Sequence, residues 1–211
     1  MNFNKQDIAD LPKIKRLNLI NSVTGIKPGN LIGTKSNDGQ SNLAVISSVV
    51  HLGSTPPYLG FILRPSGFVR RDTYDNILEN KQYTINHIPL EKTAQAHYTS
   101  AKFDQDISEF DECNFTEEYL NDFLAPFVAE SKVKIGLQYV ESIPIQVNNT
   151  VMIIGEILSI DIQGEAINKE GYLNLEILES AGIGGLNSYY KLIKMDEHPY
   201  ARVEDLPNFK Q

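Results

Sequence analysis

The chain has 211 residues, of which 41% are hydrophobic and 22% charged, as in soluble globular proteins rather than disordered ones. Its formal net charge of −8 argues against nucleic acid as a partner, because such binders need a basic surface that neutralises phosphates. No run approaches the roughly eighteen apolar residues that would span a bilayer, so we expect no membrane partner.

The N-terminal segment and the cysteine content both indicate a reducing compartment. Residues 1–22 lack the apolar core of a secretory signal, and the single cysteine, Cys113, cannot form an internal disulfide. We therefore predict a cytoplasmic protein. Because there is no repeat and no flexible linker, we expect one domain over residues 21–195, with an N-terminal extension at 1–20 and a C-terminal tail at 196–211.

Most of the predicted elements are short strands rich in β-branched and aromatic residues. They are expected at 30–35, 41–50, 57–63, 82–87, 131–140, 143–148 and 150–162. The sequence Asn37-Asp38-Gly39 predicts a hairpin turn between the first two strands, and Asn148-Asn149 predicts another before the last strand.

Few helices are expected. Residues 72–80 begin with an N-cap residue, Asp72, and place Tyr74, Ile77 and Leu78 along one face, and a second helix is expected at 90–100. Short strands with hairpin turns and few helices favour a barrel or sandwich over a parallel α/β sheet.

Two further stretches are interpreted as turns. The glycine-rich segment 181–185 lacks the spacing of a dinucleotide-binding fingerprint, so we predict a turn there. Residues 107–112 are predicted to be a solvated acidic turn.

The strand predicted at 41–50 is unusual because polar residues interrupt it on both faces. Asn42 and Ser48 fall on one face, and Ser41 and Ser47 fall on the other. A strand buried on both sides normally reads as a continuous apolar run. These side chains must therefore pair either with other protein groups or with a ligand.

A basic stretch in this acidic chain is the second candidate for binding chemistry. Arg64, Arg70 and Arg71 lie within eight residues and precede a predicted helix start that carries Thr73. Guanidinium groups, free main-chain N–H groups and a hydroxyl together form an anion site. Alternatively, this is a solvated basic turn paired with carboxylates, and the stretch alone slightly favours that alternative. Small hydroxyl residues on the neighbouring strand let a flat ring approach the backbone, which tilts the balance towards a phosphorylated cofactor such as FMN.

Four stretches in register resemble the motifs of one known family. They are NLAVISSVVHLGSTPPYLGF (42–61), RRDTYDNILENKQYTIN (70–86), HYTSAKFDQDISEFDECNFT (97–116) and APFVAESKVKIGLQ (125–138). Together they resemble the flavin reductase-like family of FMN-binding split-barrel proteins, and the match extends over roughly residues 20–190.

The resemblance implies a mainly β fold, a Greek-key split barrel with a few peripheral helices. It also implies a homodimer with FMN at or near the subunit interface. The residues that it places beside the flavin ring are Asn42, Leu43, Ala44, Ser47, Ser48, Val49 and Val50. It assigns Arg64, Arg71 and Thr73 to the phosphate, and Thr99 and Ser100 to a loop that closes over the cofactor.

The function implied is that of an FMN-dependent oxidoreductase that takes a hydride from NADH or NADPH. No catalytic side chain is assigned, since hydride transfer to a flavin requires no protein acid or base. No metal is expected, because His51, His87, His97 and His198 show no ligand spacing. Cys113, flanked by Asp111 and Glu112, is expected to be inert.

Three departures from the family pattern keep two alternatives open. Arg71 replaces a commoner Lys, Val45-Ile46 replaces a frequent Pro-aromatic pair, and Ile183 precedes Gly184-Gly185 where the family often has Arg. The last change puts the use of a pyridine nucleotide in doubt. The alternatives are an FMN electron carrier of the flavoredoxin type and a split-barrel ligand-binding module without catalysis.

Overall fold

The fold was obtained as a computed structural model, which describes residues 1–64, 72–104 and 106–209. The helices in these ranges are α1 Lys5–Asp10, α2 Lys13–Ser22, α3 Asp72–Asn80, α4 Thr93–Tyr98, α5 Glu109–Glu112 and α6 Leu175–Leu178. The strands are β1 Ile26–Pro28, β2 Asn30–Lys35, β3 Ser41–Ile46, β4 Val50–Ser54, β5 Pro57–Leu63, β6 Gln82–His87, β7 Glu117–Glu118, β8 Phe127–Val128, β9 Val133–Ile145, β10 Thr150–Ile162, β11 Ala181–Gly184 and β12 Ser188–Lys191. None of the described helices combines the length and the apolar content that crossing a membrane would require.

Seven antiparallel strands form the main sheet, in the order β3-β2-β6-β9-β10-β5-β4. The two edge strands, β3 and β4, are consecutive in the chain and are separated only by residues 47–49. Four Cα steps span at most about 14 Å, whereas seven flat strands would place the outer two about 29 Å apart. The sheet must therefore curl until its edges meet, which makes it a barrel split along one seam.

Several predicted elements are confirmed and others are wrong. Strands 30–35, 57–63, 82–87 and 150–162 and helix 72–80 are confirmed. The strand predicted at 41–50 is two strands, β3 and β4, which lie at opposite edges of the sheet. The predicted strands 131–140 and 143–148 are one long strand, β9, because hydrogen bonding to β10 continues past a bulge. The second predicted helix divides into a short 3-10 turn and α4.

The segment predicted to be a glycine-rich turn is instead the central strand of a second sheet, with the order β1-β11-β12. Its glycines allow close approach of neighbouring side chains. A Cβ atom on Gly182 would lie 2.5 Å from Ile26, and one on Gly184 would lie 2.7 Å from the ring of Tyr190. Only Gly185, with φ of 61°, adopts a conformation that favours glycine, and there the chain turns from β11 to β12.

Two hydrophobic clusters cover the two faces of the main sheet. Because successive side chains of a strand alternate, Leu31 joins one cluster and Ile32 the other. The cluster that contains Leu31 also includes Leu43 and Phe110. The cluster around Ile32 fills the barrel interior with Ile32, Phe61, Ile77, Tyr83, Ile85, Leu137 and Ile153, all fully buried.

Tyr83 packs against a glycine inside the barrel. Its hydroxyl is buried and has no hydrogen-bond partner among the described residues. A Cβ atom added to Gly155 would lie 2.1 Å from that hydroxyl oxygen, so the strand β10 leaves room for the phenol only by having no side chain there.

We predict that Gly155→Ala lowers the free energy of unfolding by about 1–3 kcal/mol, because the added methyl group overpacks the interior. Urea denaturation measures the change. Tyr83→Phe serves as the control, since it removes a hydroxyl whose burial without a partner is unfavourable, and it should leave stability unchanged or raise it. A Gly155→Ala protein as stable as the parent would contradict this account of the barrel interior.

Candidate functional site

The split in the barrel is bridged by a serine. The hydroxyl of Ser48 donates to the carbonyl oxygen of Ile62 at 3.1 Å and accepts from the amide of Ile62 at 3.0 Å. Ile62 lies on β5, which pairs with the edge strand β4. The side chain of Ser48 therefore links residues 47–49, the crossing segment between β3 and β4, to that edge of the sheet. The hydroxyl of Ser48 thus both donates and accepts a hydrogen bond within the protein.

The main chain of residues 47–49 carries unpaired hydrogen-bond donors. Within the described ranges, the N–H groups of Ser47, Ser48 and Val49 have no hydrogen-bond partner. All three residues are partly exposed. Unpaired donors in a cleft-like seam are available to the polar edge of a ligand.

On the outer edge of β3, before the crossing segment, side chains accept hydrogen bonds from the main-chain amides. The amide of Leu43 donates to Glu109 Oε2 at 2.9 Å, and the amide of Val45 donates to Thr99 Oγ1 at 3.0 Å. Thr99 also donates to the carbonyl oxygen of Ala96 at 2.8 Å. Burial raises the pKa of Glu109, against the opposing effect of the amide hydrogen bonds it accepts. These contacts fix the position of β3 and leave the segment after Ile46 open.

The polar residues at the start of β3 also pair within the protein. Asn42 donates from Nδ2 to Thr73 Oγ1 at 3.1 Å, which joins β3 to the first turn of α3. The hydroxyl of Ser41 lies 2.8 Å from that of Ser108 and donates to Glu117. The polar residues that interrupt this strand therefore mostly have hydrogen-bond partners within the protein.

A cavity of about 560 Å³ lies beside Asn42 and α3. Five carboxylates line it, from Asp38, Asp72, Asp75, Glu79 and Asp106. Such a lining repels anions, so a phosphate cannot be accommodated there without cations.

The predicted cations are only partly visible. Arg64 is exposed at the end of β5, whereas Arg70 and Arg71 lie outside the described residues. Burial and the charge of Arg64 lower the pKa of Lys27 on β1. Lys27 donates to the carbonyl oxygens of Asn21 and Gly185, at 3.1 and 2.8 Å.

The other residues predicted from the sequence differ in accessibility. Leu43 is fully buried in the core, and Thr73 and Thr99 are buried as well. Ala44 is partly exposed, and Val50 and Ser100 are exposed. The structure brings Asn42 and Thr73 into contact, and it places Thr99 against β3 at Val45.

Two contacts near β3 were missed by the sequence analysis. Residues 107–112 are not a solvated turn, because Ser108 caps the short helix α5 and directs Glu109 onto β3. The signal was present as a serine N-cap before a buried aromatic, Phe110. In addition, Tyr189 Oη lies 3.4 Å from His97 Nδ1, and burial raises the pKa of Tyr189 to about 12.

Cys113 is buried, and its surroundings disfavour the thiolate. Burial raises the pKa of its thiol to about 11, with further contributions from the charges of Glu109 and Glu112. In the part of the chain that the structure describes, His, Cys, Asp and Glu form no group of three or more that could hold a metal ion.

Comparison with known proteins gives concordant matches. Residues 26–176 match the family model of the flavin reductase like domain. A solved split-barrel protein from Shewanella frigidimarina NCIMB 400, assigned to the flavin reductases, is 41% identical, with a TM-score of 0.91 over 95% of this chain and 100% of that one. An uncharacterized protein of Aquifex aeolicus is 25% identical over 78% of this chain and 84% of its own length.

Two more distant structures share the fold. Nitrilotriacetate monooxygenase component B from Bacillus cereus is 17% identical, with a TM-score of 0.82 over 94% of this chain and 98% of that one. The flavoredoxin of Desulfovibrio vulgaris (Miyazaki F) is 20% identical, with a TM-score of 0.73 over 84% of this chain and 92% of that one.

The two serines of the crossing provide a matched pair of variants. We predict that Ser48→Ala lowers the free energy of unfolding by about 1–3 kcal/mol, because it leaves both polar groups of Ile62 without this partner. Ser47→Ala, whose side chain has no recorded hydrogen bond in the described residues, should change it by less than about 0.5 kcal/mol. Chemical denaturation of both variants measures the difference, and equal effects would exclude the bridging role of Ser48.

Proposed function

This chain belongs to the flavin reductase-like domain family, and on that premise we propose that it is an FMN-binding oxidoreductase. In this proposal a reduced nicotinamide, NADH or NADPH, provides the hydride that FMN accepts. The protein is proposed to act in the cytoplasm as a homodimer, with the domain limits 21–195 between the two terminal extensions.

The observation that carries the proposal is the set of free amides at the seam. The pyrimidine edge of a flavin bears carbonyl oxygens and ring nitrogens that accept hydrogen bonds. The N–H groups of Ser47, Ser48 and Val49 are donors that have no partner among the described residues, and they lie in a partly exposed segment. FMN supplies the redox chemistry when bound, and the protein supplies position and electrostatics. Main-chain donors beside the ring would favour the negative charge that accompanies its reduction.

Side chains on the neighbouring elements orient this segment. Glu109 and Thr99 hold the amides of Leu43 and Val45, and Ser48 holds Ile62. These contacts hold the seam in place, and they engage the Glu109 carboxylate with a main-chain amide.

The phosphate is proposed to bind to Arg64, Arg71 and Thr73. Thr73 lies in the first turn of α3 and contacts Asn42, so it is connected to the strand that leads to the seam. Carboxylates line the cavity beside Asn42 and α3, so the phosphate is proposed to lie at the arginines rather than in that cavity. Thr99 and Ser100 are proposed to lie on the loop that covers the cofactor.

A second candidate is an electron carrier that holds FMN and exchanges electrons with a protein partner. The observation that favours it is the fold shared with the flavoredoxin of Desulfovibrio vulgaris. Ile183, which stands where the family often has an arginine, keeps the use of a pyridine nucleotide in question. The two candidates predict the same FMN site and differ only in the electron donor.

Comparison of FMN with riboflavin tests the site directly. The purified protein should bind FMN, as seen by quenching of flavin fluorescence on titration. Arg71→Ala should weaken FMN binding by about ten- to a hundredfold through loss of a charge-assisted contact, and should leave riboflavin binding unchanged. Arg202→Ala, in the exposed tail, is the control and should alter neither affinity. Absence of FMN binding would refute the proposed function, whereas equal losses for both flavins would refute only the phosphate assignment.

Anaerobic stopped-flow mixing separates the two candidates. With FMN bound, NADH or NADPH should bleach the flavin absorbance within the turnover time of a reductase. Flavin that stays oxidised with both nucleotides, yet is reduced by dithionite, would instead support the electron carrier.

A further inference from the structure

The N-terminal helix α2 presents apolar side chains to solvent. Ile14, Leu17 and Ile20 are spaced three residues apart, so they lie within about one-third of the helix circumference. They are 66%, 38% and 47% exposed, and Val23 at the end of the helix is 66% exposed. A helix with such a face normally covers it against another element.

No described part of the chain buries this face. Neither α1 nor α2 contains a buried residue. The helix is anchored at its C-terminal end, where Lys27 donates to the carbonyl oxygen of Asn21 and to that of Gly185. The segment is therefore anchored beside the β1-β11-β12 sheet while its apolar side chains remain uncovered.

The distribution of charge indicates what covers it. Residues 1–27 contain five Lys or Arg against two Asp, whereas the remaining 184 residues contain fourteen Lys or Arg against twenty-five Asp or Glu. The N-terminal segment is thus basic, with a formal charge of +3, and the body is acidic, with −11. A surface that suits a basic apolar helix is therefore present on another copy of the same chain.

The body also exposes apolar side chains for such a helix. Val140 and Ile143 on β9 and Leu158 and Ile160 on β10 are 42–55% exposed, and Glu141, which follows Val140 in the chain, is exposed as well. Apolar contacts flanked by carboxylates match the composition of α2, where Lys13 and Lys15 flank the apolar residues.

We propose that the apolar face of α2 docks on the acidic body of a second copy of this chain. The inference rests on the proposed homodimer and assigns part of its interface to the N-terminal extension. An anionic membrane is a poorer partner for this helix, because the same acidic body would be repelled from the lipid surface.

Paired substitutions on the two sides of α2 test the proposal. Leu17→Glu with Ile20→Glu should weaken dimerisation at least tenfold in sedimentation equilibrium, since both side chains would lose their apolar cover. Asn18→Glu with Ser22→Glu adds the same charge on the polar side and should change the dissociation constant less than about threefold. Because α2 buries nothing in its own chain, all four substitutions should leave the fold and its circular dichroism intact.

Photocrosslinking identifies the partner. Benzoylphenylalanine at position 17 should give a covalent dimer on irradiation. When isotopically light and heavy chains are mixed, the crosslinked peptides should join α2 of one chain to the acidic body of the other. The same group at position 18 should give much less. Crosslinks within one chain, or binding of the parent protein to phosphatidylserine vesicles through α2, would overturn the inference.

The outcome also separates this inference from the proposed function. A dimer that persists unchanged in the Leu17→Glu, Ile20→Glu variant overturns the role of α2 and leaves the dimer proposal standing. A parent protein that is monomeric at all concentrations overturns both. FMN titration of the parent protein tests the proposed function separately: absence of FMN binding overturns that function, whereas an altered dissociation constant of the dimer bears only on the role of α2.

Discussion

Three residues connect the two edges of a seven-stranded sheet, and this short connection constrains the rest of the molecule. The link from Ile46 to Val50 can close only if the sheet curls into a barrel, and it passes through the seam without joining either ladder. Its amides therefore have no strand partner. The same constraint that closes the barrel thus leaves the amides of residues 47–49 without hydrogen-bond partners in the described part of the chain.

The polar side chains around the seam form hydrogen bonds within the barrel itself. Ser48 satisfies Ile62, Glu109 and Thr99 satisfy the edge of β3, and Asn42 connects that strand to α3. Each of them pairs a main-chain or side-chain group that would otherwise be desolvated without a partner. A ligand in the seam would meet side chains that already form hydrogen bonds within the protein. Such a ligand would therefore be recognised there mainly by the main chain.

Local signals in the sequence were sufficient for elements whose structure is decided locally. Helix 72–80, the turn at Asn37-Asp38-Gly39 and the strands on either side of it follow from capping, turn residues and periodicity. The break of the 41–50 strand could not be predicted in this way, because Val49 and Val50 continue the β-branched pattern and only pairing with the distant β5 separates β4 from β3. The glycine-rich strand β11 was missed for a related reason, since its glycines are required by close neighbours rather than by a turn.

Of the candidate site, the sequence indicated the segment 47–50 through the family resemblance. The contact from Glu109 depends on tertiary structure.

The position of Ile183 bears on the choice between reductase and electron carrier. This residue lies on β11 opposite Lys27 and Tyr189, and its side chain is 2% exposed within the core. An arginine there would be buried beside the ammonium group of Lys27, whose pKa burial already lowers, so the fold of this chain itself favours an apolar residue. A side chain that points into the core cannot contact a nicotinamide in the seam. The replacement at this position is therefore explained by packing, and it gives little reason to prefer the carrier over the reductase.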